Sequence, residues 1–276
     1  MKRLALLAIP AALALIVAGA AGARAQATRI QVAAAMNAAD ERPAPKGDVS
    51  GARGTFSATV TKSDAGAVLN WELTFANLSG PATAAHIHVA DRGQPGPVAV
   101  PLCAPCTSGA TGTANINPTV LTALETDRAY VNVHTALNPA GEIRDQLSPV
   151  ATVRTTLSAA RERPKPKGSV RRAKGLFTAT VTKQGDSAGI AWRLTFSRLT
   201  GRAGAAHIHR GQPGKAGPVI VPLCAPCRSG VRGRATVGAS VLAALEAGRA
   251  YVNIHTARNP AGEVRGQIRA VPLTVS

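Results

Sequence analysis

The hydrophobic and polar positions alternate with a period of two over much of the chain. In Gly54-Thr-Phe-Ser-Ala-Thr-Val-Thr61, Phe56, Ala58 and Val60 share one face and the hydroxyls take the other, the pattern of a half-buried β-strand. Asn70-Trp-Glu-Leu-Thr-Phe75 alternates likewise, with Trp71, Leu73 and Phe75 turned inward. Further short strands are expected at 29–35, 83–89, 97–102, 111–116, 129–134 and 141–147, separated by Gly and Pro clusters. Pro118-Thr-Val-Leu-Thr-Ala-Leu-Glu125 departs from the alternation and predicts a short, Pro-led helix. Short strands with turn signals about every dozen residues predict an all-β fold, an antiparallel sandwich or Greek-key barrel.

The pattern then repeats. Adding 121 to Phe56, Trp71, Phe75 and Tyr130 gives Phe177, Trp192, Phe196 and Tyr251, and these eight are all the aromatic residues. The same offset carries Cys103 and Cys106 to Cys224 and Cys227, Glu142 to Glu263, and Glu41-Arg42-Pro43 to Glu162-Arg163-Pro164. A period this long means two tandem domains and not a solenoid. Their expected extents are 26–149 and 150–276, joined by a linker so short that the domains should touch. Asn77-Leu78-Ser79 is a formal glycosylation acceptor, but Arg198 stands at its repeat position, and it reads as a turn.

Ahead of the repeats, Met1-Lys2-Arg3 precedes an apolar run that ends in Ala23-Arg24-Ala25. This is the pattern of a secretory signal peptide, residues 1–25, cleaved before Gln26, although a run of about twenty residues is also long enough to anchor in a membrane. Export to the periplasm, the medium or the cell surface is expected. Charge is divided unequally. Residues 26–149 carry 8 Lys+Arg against 10 Asp+Glu, a net of −2, and residues 150–276 carry 21 against 4, a net of +17. The second domain would attract an anionic cell-surface polymer or lipid. Nucleic acid is disfavoured by export and by the lack of aromatics among the basic residues.

The six histidines carry the candidate chemistry. His86 and His88 form a His-x-His pair, His134 ends Tyr130-Val-Asn-Val-His134, and His207, His209 and His255 repeat the arrangement. Residues i and i+2 of a strand share a face, about 6–7 Å apart, so each pair projects two imidazoles together. Ile87, Val131 and Val133 then belong to the core. The Gly-rich stretches 92–97 and 210–218 would cover the rings. With the 129–134 strand alongside, three imidazoles could converge on one copper or zinc ion per domain and leave a position open. Asn132, Glu142, Asn253 and Glu263 are candidates to fix a ring by accepting its other N–H, and Glu142 could itself be a carboxylate ligand. In the competing reading the histidines only hydrogen-bond Thr135 or the Gly-rich backbone and pin that loop. There is no Ser-His-Asp arrangement and no phosphate loop.

Cys103-Ala-Pro-Cys106 and Cys224-Ala-Pro-Cys227 are expected to be disulfides in an exported chain. A redox role, or service as soft metal ligands, are the alternatives. The redox motif lacks its usual βαβ setting.

Ala84-Ala-His-Ile-His88, the Gly-Pro-Val that follows, Ala129-Tyr-Val-Asn-Val-His-Thr135 and Asn138-Pro-Ala-Gly-Glu-Ile-Arg144 together resemble the CHRD domain, in two copies covering nearly all of residues 26–276. The module is named for chordin, a secreted antagonist of growth factors, and is widespread in exported bacterial proteins. The resemblance implies an immunoglobulin-like or Cu,Zn superoxide dismutase-like sandwich. The first copy has Ala90 and Asp145 where the second has the more family-like Gly211 and Gly266, so the first loop and site are expected to differ. The reading that follows is a non-enzymatic binding module with a three-His metal site per domain. A dismutase-like redox enzyme, for which a fourth histidine per repeat is missing, and a metal-free structural or adhesive module are the alternatives.

Overall fold

The computed structural model describes residues 29–275; the expected signal segment, residues 1–25, lies outside the described residues. The first domain runs β1 Arg29–Asn37, β2 Arg53–Ser63, β3 Gly66–Ala76, β4 Ala82–Val89, β5 Val98–Cys103, β6 Ala110–Ile116, α1 Pro118–Glu125, β7 Ala129–Thr135 and β8 Ile143–Gln146. The second repeats it as β9 Ser148–Ser158, β10 Lys174–Gln184, β11 Ser187–Ser197, β12 Ala203–Arg210, β13 Val219–Cys224, β14 Val231–Val237, α2 Ala239–Glu246, β15 Ala250–Thr256 and β16 Val264–Ile268. Each alternating segment is a strand, and the Pro-led segment is the helix. Asn117 caps α1 through its side chain, accepting from Val120 N at 2.9 Å, which satisfies one of the free N–H groups of the first turn.

In the first domain β1-β2-β3-β6 form one antiparallel sheet and β8-β7-β4-β5 the other. β4 and β5 cross to the second sheet before β6 returns beside β3, which is the Greek-key crossing. The second domain repeats this with β9-β10-β11-β14 and β16-β15-β12-β13. The inward residues meet between the sheets: Phe56, Val60, Leu69 and Leu73 from one, Ile87, Val131, Val133 and Ile143 from the other, all essentially fully buried. Each such side chain contributes about 2 kcal/mol, and the alternation leaves the outer faces polar.

The domain boundary falls inside a strand. Val150 of β9 pairs with Gln31 of β1 and with Thr182 of β10, so no free linker separates the repeats. The C-terminal segment also returns to the first domain: Val275 is part of its core, and Val275 N donates to Glu125 Oε1 at 2.5 Å. Asn77 and Arg198 both hold φ near 58°, as the turn reading of that stretch requires.

Candidate metal centre

β4 and β7 are antiparallel neighbours, with Ala84 opposite His134, His86 opposite Asn132 and His88 opposite Tyr130. Ile87, Val131 and Val133 point into the core, so His86, His88 and His134 stand together on the other face of the sheet. The three offer ring nitrogens that all lie within 4.8 Å of one another, and His207, His209 and His255 do the same in the second domain. His86 Nδ1 is 3.1 Å from His134 Nε2, and His207 Nδ1 is 3.1 Å from His255 Nε2. Four-coordinate ligands about 2.0–2.1 Å from a zinc ion stand about 3.3 Å apart, so one edge of such a site is already formed and the third nitrogen has at most about 1.5 Å to close.

Backbone carbonyls fix the rings. His88 Nδ1 lies 2.8 Å from Gly96 O and His134 Nδ1 lies 3.0 Å from Pro139 O. The second domain makes the matching contacts, His209 Nδ1 to Gly217 O at 2.9 Å and His255 Nδ1 to Pro260 O at 2.9 Å. A carbonyl oxygen only accepts, so these four Nδ1 atoms carry the hydrogen, and in the neutral ring the lone pair is at Nε2. His88 Nε2 and His209 Nε2 are buried and have no hydrogen-bond partner. Burial holds the imidazoles of His86, His88, His134, His207 and His209 below the ordinary histidine range. Neutral rings with a free lone pair are what a metal ion requires.

A stack stands behind His88. Its ring lies parallel to Tyr130 with centroids 4.7 Å apart, and the Arg144 guanidinium covers the Tyr130 ring at 3.3 Å. β7 runs between β4 and β8, so the tyrosine sits between the histidine and the arginine. Tyr130 Oη also accepts from Gly96 N at 3.2 Å, which ties the Gly-rich loop down over the site. His209, Tyr251, Arg265 and Gly217 repeat the arrangement. Arg144 and Arg265 are 1% exposed. Burial lowers the pKa of both, and Glu41 and Glu162, buried nearby, are raised by the same cause against the pull of these arginines. Gly141 holds φ +132°, and a Cβ there would meet the Glu41 carboxylate at 2.3 Å, so only glycine lets the chain pass. The sequence shows Glu41, Arg144 and their repeats at the common offset, but nothing in the spacing tells that residues this far apart pair.

The structure corrects two assignments, those of Glu142 and Glu263. Glu142 accepts from Ser79 N, Ser79 Oγ, Thr135 Oγ1 and Asn138 Nδ2. Glu263 accepts from Thr200 N, Thr200 Oγ1, Thr256 Oγ1 and Asn259 Nδ2. Both carboxylates are fully buried and saturated by these donors, so they neither ligate a metal nor orient a ring; they clasp two neighbouring loops at one end of the sheet, in the first domain those between β3 and β4 and between β7 and β8. Burial alone would raise their pKa, and the donated hydrogen bonds outweigh it and lower them. Asn132 and Asn253 lie beside His88 and His209 as side-chain hydrogen-bonding neighbours of these rings, as expected of residues that orient them, although their Oδ1 atoms make no bond of ideal geometry. The ring-fixing acceptors are the carbonyls of Gly96, Pro139, Gly217 and Pro260, which carry no side-chain signature.

The four cysteines form two disulfides, Cys103–Cys106 and Cys224–Cys227, each with Cα atoms 5.2 Å apart. Their sulfurs are therefore not thiolate ligands for the histidines. The expected difference between the two loops is not seen in the site itself, since the matching ring contacts agree to within 0.1 Å.

No curated protein and no solved structure gives a significant match to the chain. A family model described as the CHRD domain matches residues 32–147 and again 153–268. These two spans hold all six histidines, both disulfides and nearly all of both sandwiches, and the chain belongs to the CHRD domain family as a tandem pair.

Proposed function

We propose that the protein is an exported, non-enzymatic binding module in which each domain holds one transition-metal ion, copper or zinc. His86 would contribute Nδ1, and His88 and His134 would contribute Nε2; His207, His209 and His255 would act alike. The observation that carries this reading is that three ring nitrogens lie within 4.8 Å of one another in each domain, with the buried Nε2 of His88 and of His209 left without a well-formed hydrogen bond. A buried polar atom without a partner costs about 1–3 kcal/mol. Loop pinning accounts for the Nδ1–H bonds but leaves that cost in place in both domains. An ion accepting the lone pair removes it. Imidazole suits copper and zinc, and three neutral donors leave a position for an exchangeable ligand. When bound, the ion would supply Lewis acidity at that position. His86 would have to move its proton from Nδ1 to Nε2.

Export is supported by the disulfides, which persist in oxidising compartments, and by the signal-like segment at residues 1–25. The cationic second domain would be the half that meets an anionic partner.

Metal analysis of the purified chain tests the reading. It predicts about two equivalents of copper or zinc in the wild type, about one in His88→Ala and less than one in His88→Ala/His209→Ala. Absence of stoichiometric metal from the wild type would leave the structural or adhesive module. Bound copper with superoxide turnover would replace binding by redox catalysis.

A further inference from the structure

The outer face of the second domain's β9-β10-β11-β14 sheet carries a row of arginines at matched register. Arg154 on β9 lies opposite Thr178 on β10, Thr178 opposite Arg193 on β11, and Arg193 opposite Arg232 on β14. At about 4.8 Å per strand the row spans about 14 Å. Arg234, two residues beyond Arg232, extends it on the same face. All four arginines are exposed, and none makes an ion pair among the described residues. Thr178, Thr180, Arg193, Arg232 and Arg234 line a shallow groove on this face, while Gly233 and Trp192 pack against each other on the inward side.

Like charges directly opposite one another across two strands destabilise a sheet, and this face provides no relief. Of the four acids in the second domain, Glu162 and Glu263 are buried, Glu246 lies on α2 facing Lys183, and Asp186 sits in the turn between β10 and β11. The corresponding row of the first domain is Ala33, Ser57, Glu72 and Thr111, in the same register. The two faces share a backbone and differ in charge.

We infer that this face is a docking surface for a linear acidic polysaccharide, whose successive anionic groups lie along the Arg154–Arg193–Arg232 row while Thr178 and Thr180 meet its hydroxyls. The inference rests on the reading of the second domain as the half that meets an anionic partner, and it assigns the place and the occupant. A flat sheet face matches an extended chain. A membrane surface is a poorer fit, because none of the exposed large hydrophobics, Val98, Leu137 and Val219, lies on this face. Single-stranded nucleic acid is a poorer fit because no aromatic residue is exposed for bases to stack on.

The experiment measures binding of the full chain to sodium polygalacturonate, and separately to vesicles containing phosphatidylglycerol, at two salt concentrations. The variants are Arg193→Ala/Arg232→Ala and a charge-matched control, Arg258→Ala/Arg269→Ala, on the opposite sheet's side. The expected result is salt-sensitive binding to the polysaccharide that falls about tenfold in the row variant and less than about twofold in the control. Circular dichroism checks that both variants are folded. Equal weakening by both variants would overturn the row while leaving the charge reading of the second domain. Binding to the vesicles alone would overturn the assigned occupant. Wild type that binds neither probe removes both this inference and the charge reading, and metal content is unaffected by any of these outcomes.

Discussion

The two domains make the same bonds around their histidines and differ in the charge of their outer faces. His88 and His209 each give Nδ1–H to a glycine carbonyl, each stack on a tyrosine backed by a buried arginine, and each leave Nε2 without a partner. On the far sheet, Glu72 and Thr111 stand where the second domain has Arg193 and Arg232. The lesson is where constraint resides. His88, His134 and their repeats are each tied to backbone carbonyls and packed against neighbouring rings, so a change at one position leaves others unsatisfied. The outer face asks only that its residues tolerate water, so its charge can change sign without disturbing the fold.

If the histidine-bearing region is the shared framework, removing its clasp should damage both domains alike. Glu142→Ala strands donors from Ser79, Thr135 and Asn138, and Glu263→Ala strands those from Thr200, Thr256 and Asn259. Each should cost about 3 kcal/mol in urea unfolding. A large cost in one domain alone would break the equivalence. The same carboxylates set part of the acid limb. Their folded pKa lies below the ordinary 4.5, so their stabilisation is complete above that value and is lost as the pH falls below it towards the lowered pKa. Glu142→Gln/Glu263→Gln should flatten the fall in stability below pH 4.5, read by denaturant titration at successive pH values.

A sharper contrast lies at the paired positions Asp145 and Gly266. Asp145 accepts from Ala35 N at 2.9 Å and faces Arg92 at 3.4 Å. A Cβ on Gly266 would meet Thr155 Cγ2 and Thr156 O, each at 2.5 Å. The first domain has the smaller Ala34 in place of Thr155. Gly266→Asp should therefore cost about 2 kcal/mol through overpacking, whereas Asp145→Gly should cost about 1 kcal/mol, two largely solvent-accessible hydrogen bonds, from Ala35 N and Gln146 N, and a half-exposed ion pair. Equal costs would show that the exchange is not governed by local space. The smallest effect belongs to the outer face: Arg193→Ala/Arg232→Ala should leave thermal stability unchanged or raise it by about 0.5 kcal/mol. A clear loss would mean that the row serves the fold.

The strands and the helix were legible because alternation and Pro-led Leu spacing follow directly from which side chains face the core. The histidine clusters were legible because two imidazoles at i and i+2 must share a face, and the repeat shows that the third recurs with them. The role of Glu142 was not, because a carboxylate near a histidine looks the same in sequence whether it ligates, orients a ring or clasps a loop. Only the positions of Ser79, Thr135 and Asn138 distinguish these. The carbonyls of Gly96 and Pro139 belong to the backbone, and no residue type announces them. The boundary near Pro149-Val150 was expected as a short linker, but its residues continue β9, because Val150 finds a partner strand on each side.

The central claim is that the backbone holds the protons of His88, His134 and their repeats on Nδ1, so that a metal ion takes Nε2. Nitrogen-15 NMR of the histidine rings during zinc titration tests it most directly. The account predicts that Nε2 of His88, His134, His209 and His255 shifts on metal addition while their Nδ1 atoms stay protonated, with His86 and His207 responding at Nδ1. Ring nitrogens that do not respond to zinc, or His88 responding at Nδ1, would contradict it.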